Sequence, residues 1–388
     1  MRRKIGMAAA VVAALGLGGF FTLPRILDQR MNSVALAGPY TANARVTALH
    51  STLFVADLHD DALLWSRDLL KRYDYGHTDL PRLQEGKVSL QVFSTVTKTP
   101  KGLNFERNAG DTDSLNALVM AQRWPVATWN SLLDRALFQS EKLHRAAAGS
   151  AGGMQIVRSQ AELAALTQGQ PPAGGTLIAL LATEGLHPLE SKLENIDTLF
   201  DAGFRITGLT HFFDNEVGGS AHGLEKGGLT PFGKQVVARL QEKSMLVDLA
   251  HASPQLIDDV LAITRRPVLV SHTGVQGTCP GPRNLSDRHI KAIAATGGVM
   301  GIGYFEGAVC GLSTAAIVNA IRYTADLVGV QHVALGSDFD GATKTAFDTT
   351  GLIHLTAGLL DVGFSDTDVA AIMGGNVLRL LQAQLPAK

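Results

Sequence analysis

The chain predicts an α/β fold, a (β/α)8 TIM-like barrel, and two observations carry the prediction. Eight short apolar runs recur with helical stretches between them, and the runs lack the alternation of a strand with one wet face. Continuous apolar strands are buried on both faces, as parallel strands covered by crossover helices are. Eight such units in one chain close into a barrel. The chain has the mass for it: 388 residues, 46% hydrophobic and 18% charged, can bury a large core.

The runs, in order, are "LFVAD" (53–57), "VSLQVF" (88–93), "TLIALLA" (176–182), "RITGLT" (205–210), "MLVDLA" (245–250), "PVLVSH" (267–272), "GVMGIGY" (298–304) and "HVALGSD" (332–338). Helix starts separate the later ones: Thr230 with Pro231, Ser253 with Pro254, Ser286 and Ser313 each combine an N-capping side chain with a helical run. The longest excursion, about 94–175, is predicted as an insertion over one rim, helical around 113–148 and ending in the loop "GQPPAGG". A closing helix is expected to start at Ser365 and to lay its apolar side on the barrel.

The N-terminus is different in kind. "MRRK" supplies three cations, and Ile5 to Leu23 then carry no charge. At about 1.5 Å per helical residue the run is about 28 Å long, close to a bilayer core, so it reads as a membrane anchor or signal segment. "ALAG" at 35–38 offers a cleavage site beyond it. Residues 1–37 are therefore expected as signal anchor or signal peptide plus linker, and 38–388 as the barrel domain. Cations ahead of the span put the body outside the cytoplasm, on the periplasmic side of a bacterial inner membrane or released into the periplasm. In that oxidising setting Cys279 and Cys310 have two readings, a disulfide or two buried thiols. A net charge of -1 and a pI near 6.9 exclude a general attraction to nucleic acid and favour a small-molecule or peptide partner.

Chemistry gathers at the strand ends. The first ends in His59 and Asp61, the third in Glu184, the fourth in His211, the fifth in His251, the sixth in His272 and the eighth in Asp338. In a barrel of this type those ends meet at the face where active sites are built. A lone histidine or aspartate at a strand end is ordinarily structural; six ends at once are not. Imidazole and carboxylate without thiolate suit zinc, with manganese, cobalt or iron less specific. Three histidines and several carboxylates exceed the three protein ligands of one catalytic zinc, which points to a two-metal site with Glu184 as the shared carboxylate. The other eight histidines read as surface or packing residues, and Asp340 as a turn residue.

"DLHDD", "ATEG", "LTHFFDNEVGGSAHG", "GLTPFGKQVV", "DLAHAS", "VSHTG" with "RNLSD", and "ALGSDFDG" together resemble the membrane dipeptidase (renal dipeptidase) family of zinc peptidases, over roughly 45–385. The resemblance implies that His59, Asp61 and Glu184 hold one zinc, and Glu184, His251 and His272 a second. A bridging hydroxide would attack the scissile carbonyl of a dipeptide. His211 would donate to the developing oxyanion, Arg283 would clamp the substrate's C-terminal carboxylate, and Asp338 would handle the proton or anchor the free amine. It implies tolerance of D-residues at the C-terminal position and hints at a homodimer. Two positions depart from the family's pattern: Leu58 stands where Gly is usual, and Asp60, where a small residue or Asn is usual, is expected to add negative charge near the site and to tune substrate choice. Two alternatives are weaker. Another binuclear barrel amidohydrolase, acting on N-acyl amino acids or lactams, usually carries His-x-His on the first strand; a non-catalytic anchored binding protein should have lost a ligand, and none is missing.

Overall fold

A computed structural model describes residues 18–168 and 175–388 of the chain. Eight parallel strands close a barrel: β1 (Val55–Asp60), β2 (Val88–Val96), β3 (Leu177–Glu184), β4 (Phe204–Gly208), β5 (Leu246–Asp248), β6 (Leu269–Thr273), β7 (Val299–Ile302) and β8 (Val333–Leu335), with β8 pairing back onto β1. Every residue of these strands is buried, as their unbroken apolar character predicts.

Two layers of core hold the barrel. The inner one takes residues from all eight strands, among them Leu58, Leu90, Leu180, Ile206, Leu269 and Ala334. Leu58, noted above as a departure from the pattern of the family the chain resembles, is thus barrel filling. The outer layer joins the opposite strand faces to the surrounding helices through residues such as Val236, Val260, Ile293 and Ile321.

The helix starts fall where the capping side chains put them. Thr230, Ser253, Ser286 and Ser313 each accept a backbone N–H of the first turn, opening Pro231–Glu242, Pro254–Ile263, Asp287–Ala295 and Thr314–Val328. The stretch expected to be helical around 113–148 is two α-helices, Leu115–Ala121 and Leu132–Gly149, separated by a 3-10 turn at Val126–Trp129, and the insertion goes on to a short strand at Met154–Ile156 and a further helix at Gln160–Thr167. Its "GQPPAGG" loop lies outside the described residues but for Gly175.

The closing helix is also broken. A capping box at Ser365 and Asp368 starts it, but Gly374 leaves helical geometry, and a second helix follows at Asn376–Gln384. The cause is steric: a Cβ at Gly374 would stand 2.0 Å from the carbonyl oxygen of Phe54, so the kink lets backbone meet backbone at the start of β1. Val377, Leu380 and Leu381 then enter the inner core and stop the barrel at the end opposite the strand C-termini.

The first part of the expected anchor, residues 5–17, lies outside the described residues. Among those described, no helix is long and apolar enough to cross a membrane. Residues 18–31 are helical, and the stretch that follows, expected as linker, is packed on the barrel: Ser33–Val34 pairs in parallel with Lys344–Thr345 just beyond β8. Cys279 and Cys310, left open by the sequence, are joined in a disulfide.

Candidate metal centre

His59, Asp61, Glu184, His211, His251, His272, Arg283 and Asp338 all come together at the C-terminal ends of the strands, and all are buried. Glu184, the last residue of β3, is the hub. Its Oε1 lies 3.5 Å from Nε2 of His59, 3.2 Å from that of His251 and 3.4 Å from that of His272. Its Oε2 faces Nε2 of His211 at 3.2 Å. His59 Nε2 is in turn 3.5 Å from Asp61 Oδ1 and 4.0 Å from Asp338 Oδ1.

These spacings fit a metal. Donors at adjacent corners of a tetrahedron around an ion bonded at about 2.0–2.1 Å stand about 3.3–3.4 Å apart. The Nε2 atoms of His251 and His272 approach to 3.0 Å, where two lone pairs would repel without a proton or a cation between them. His59 Nε2 and Asp61 Oδ1 are buried without a hydrogen-bond partner, a costly state that an ion would relieve. Among the described residues, three groups have donors within 4.8 Å of one another: His59, Glu184 and His272; Glu184, His211 and His251; and His59, Asp61 and Asp338. The five expected ligands are thus contiguous. None of the three groups repeats an expected ligand set: His272 falls with His59 and not with His251, Asp338 joins His59 and Asp61, and His211 stands as close to Glu184 as the expected ligand histidines do.

The protonation pattern carries the same message. Burial alone would lower His59, but Glu184, Asp61 and Asp338 push it up to about 10, so the carboxylates draw in positive charge wherever they can. Burial, with Asp61 and Asp338 adding to it, raises Glu184 well above the usual range. His251 and His272 are held well below the ordinary value by burial, neighbouring imidazoles and Arg283, and the neutral imidazole is the form that binds metal.

Local structure sets the ligands. The β1 ladder shifts register between Asp57 and Asp60, where His59 sits. His251 and Asp338 hold left-handed backbone, with φ 60° and 61°, a conformation that side chains adopt at some cost and that tertiary structure must enforce. Gly341 makes room for Asp338, because a Cβ there would lie 2.1 Å from its Oδ1.

Several supporting residues escaped the sequence reading. Ser271 Oγ sits 2.9 Å from Nδ1 of His272 and 3.3 Å from Nδ1 of His59, which turns both Nε2 atoms toward Glu184. Asp57 accepts the backbone N–H groups of His59 and Ser337, and Asp248 those of Ala250 and Ser271, tying neighbouring strand ends together. A signal for these two was present, since "DLH" and "DLAH" place Asp-Leu before both ligand histidines. His222, read as bland, stacks on Phe212 and lies 5.3 Å from the His251 ring.

Arg283 donates from Nη2 to the carbonyl of His272 at 2.8 Å, while its Nε is buried with no partner. It lines a cavity of about 490 Å3 together with Asp61, Glu184, His211, His251 and Asp338. Burial raises Asp338 to about 8 against the pull of His59 and Arg283. Asp60 does not behave as expected: it is fully buried, is not among the residues lining this cavity and accepts the N–H of Ala62. Burial first, then the charge of Asp340, pushes its carboxyl well above the usual range, and it sits away from the cavity.

A family model described as membrane dipeptidase, peptidase family M19, matches residues 43–387. Among curated proteins, "Dipeptidase aclJ" of Aspergillus oryzae is 28% identical over 348 residues, covering 84% of this chain and 77% of that protein. "Dipeptidase verJ" of Clonostachys rogersoniana is 29% identical over 314 residues, covering 79% and 76%. Among solved structures, a metallo peptidase from Rhodobacter sphaeroides, liganded with a phosphinate mimic of the dipeptide L-Ala-D-Ala, superposes with a TM-score of 0.71 at 23% identity over 86% of this chain and 99% of that one. The probable dipeptidase PvdM from Pseudomonas aeruginosa gives 0.72 at 20% identity over 88% and 98%. At these identities the superpositions speak to the fold.

Proposed function

The chain belongs to the membrane dipeptidase family, peptidase family M19, and from that premise we propose that it hydrolyses dipeptides with two zinc ions, accepting a D-residue at the C-terminal position. The observation that carries the proposal is the cluster around Glu184, where imidazole and carboxylate donors meet at the spacing of a coordination shell. The L-Ala-D-Ala mimic bound by the Rhodobacter relative supports the stereochemical part.

In this reading His59, Asp61 and Glu184 would hold one ion, and Glu184, His251 and His272 the other. When bound, the ions would polarise the scissile carbonyl and lower the pKa of an attacking water. The chain's own residues do the rest. Arg283, with an unpaired buried Nε, binds the substrate's carboxylate through its planar fork. His211 donates from Nε2 to the oxygen that gains charge as the carbonyl is attacked. Asp338, with its carboxyl near neutrality, takes a proton from the water or holds the free amine, and later returns a proton to the leaving nitrogen.

The test is metal analysis alongside hydrolysis of an L-Xaa-D-Xaa panel, before and after chelation. About two metals per chain with chelator-sensitive cleavage support the proposal; cleavage that survives metal removal overturns it. Arg283→Ala should raise KM for dipeptides by about 10- to 100-fold, the loss of a hydrogen bond to a charged group, and spare an amide lacking the free carboxylate. Equal losses on both substrates would count against the clamp.

We further propose that the apolar run at 5–23 tethers the enzyme, or directs it, to the periplasmic side of a bacterial inner membrane. The Cys279–Cys310 disulfide suits an oxidising compartment. Fractionation of expressing cells tests this, with recovery in the cytosol as the contrary result.

A further inference from the structure

We propose that the helix at 18–31 is a working part of the active site: Leu27 and Met31 form the wall that receives the substrate's N-terminal side chain and select a bulky apolar one. The proposal rests on the dipeptidase reading for which end of the substrate lies where.

The wall is built, not incidental. Leu27 packs on the cluster of Leu64, Trp65, Val96, Leu115 and Trp124, and with Met31 lines the same cavity as Glu184 and Asp338. Leu27 and Met31 are four apart, one above the other on a helix face. Polar side chains on the neighbouring face lock it down. Buried Asp28 accepts from Arg67 Nε at 2.8 Å and from Asn32 Nδ2 at 2.8 Å, and Asn32 Oδ1 accepts the backbone N–H of Ala342 at 2.9 Å. Ala342 belongs to the loop that carries Asp338, so the wall keeps a fixed position relative to that carboxylate.

The two ends of the cavity differ. Arg283 lies over the Phe305 ring at 5.7 Å, and Phe305 stacks with Phe105. Leu27 and Met31 line the same cavity, and the Asn32–Ala342 hydrogen bond, one residue on from Met31, ties their end of the helix to the loop after Asp338. With the substrate's carboxylate at Arg283 and its amine at Asp338, the side chain that meets the N-terminal helix is that of the first residue. An apolar wall gains from burying an aliphatic side chain and charges a desolvation penalty to a cationic or acidic one. Met31 is 41% exposed, which leaves apolar surface for a substrate to cover.

The experiment compares kcat/KM on L-Leu-D-Ala, Gly-D-Ala and L-Lys-D-Ala for the full chain and two variants. Leu27→Ala should lower the Leu-to-Gly ratio about tenfold. Met31→Asp, at an exposed position where folding is not in question, should lower the Leu-to-Lys ratio by about tenfold or more. A role in stability alone would scale all substrates together, so ratios within about twofold of the parent's in both variants overturn the inference. Should the parent cleave no dipeptide, the dipeptidase reading fails separately. Calorimetric binding of the same three compounds then decides the wall: a leucine preference that Met31→Asp removes supports it, and equal binding of all three refutes it.

Discussion

Asp338 and Asp340 stand two residues apart in the same loop, both in left-handed backbone with φ 61° and 60°, yet their surroundings are opposite. Asp340 is fully buried and fully paired. Arg67 Nη2 meets its Oδ1 at 2.6 Å, and the N–H groups of His77 and Thr78 donate to its two oxygens. Against the upward push of burial, Arg67 and His77 hold it below the usual carboxylate range. Asp338 faces the cavity among other carboxylates and is pushed up to about 8. One region has its charges matched inside the protein; the other has charges that wait for a ligand. Stability should reside in the first and function in the second.

The sharpest way to break that contrast is to neutralise each aspartate in turn. Asp338→Asn should cut kcat by about 10²- to 10⁴-fold, the range for a lost general acid–base group. It should leave the melting temperature of the metal-free protein level or higher, because burial and the neighbouring carboxylate of Asp61 already work against the charged form of Asp338. A fall in Tm like that of a core mutant would deny the distinction.

On the other side, Arg67→Met strands both Asp340 and Asp28. Breaking a buried pair costs about 3–5 kcal/mol, so Tm should fall by on the order of 10 °C in thermal unfolding. Metal content of the folded fraction should be retained, which equilibrium dialysis checks.

Ser271→Ala tests the support between His59 and His272. It should weaken metal affinity about 10- to 100-fold with little change in fold, read by competition with a chromogenic chelator.

The smallest effect is the pH dependence of the structural region. Asp340 has an ordinary value of 3.8 and a lowered one in the fold. Its stabilisation is present above about pH 4 and is lost as the pH falls through the folded value. The Tm gap between parent and Arg67→Met should therefore hold above about pH 4 and narrow as the pH falls below it. A constant gap would mean that Arg67 acts through packing instead of charge.

The same contrast explains what the sequence disclosed. Metal-type donors at strand ends are legible, because a strand reads as an apolar run and the residue that ends it stands out: His59, Glu184, His251 and His272 were all visible this way. The helix starts were legible because a cap is local. What stayed hidden depends on partners far along the chain. Asp340 read as a turn residue because Arg67 and His77 are more than two hundred and sixty positions away. The break at Gly374 follows from contact with Phe54, and the packing of 33–34 from pairing with 344–345. Asp60 was misjudged for the same reason, since alternation says that it leaves the site but not that Asp340 and burial await it.

The account turns on whether Glu184 stands between two cations. Crystals of active protein, measured at the absorption edge of the bound metal, answer this directly. Two anomalous peaks about 3.5–4 Å apart are predicted, one beside His59 and Asp61, the other beside His251 and His272, with Glu184 reaching both. A single peak in fully active protein, or peaks that Glu184 does not touch, would contradict it.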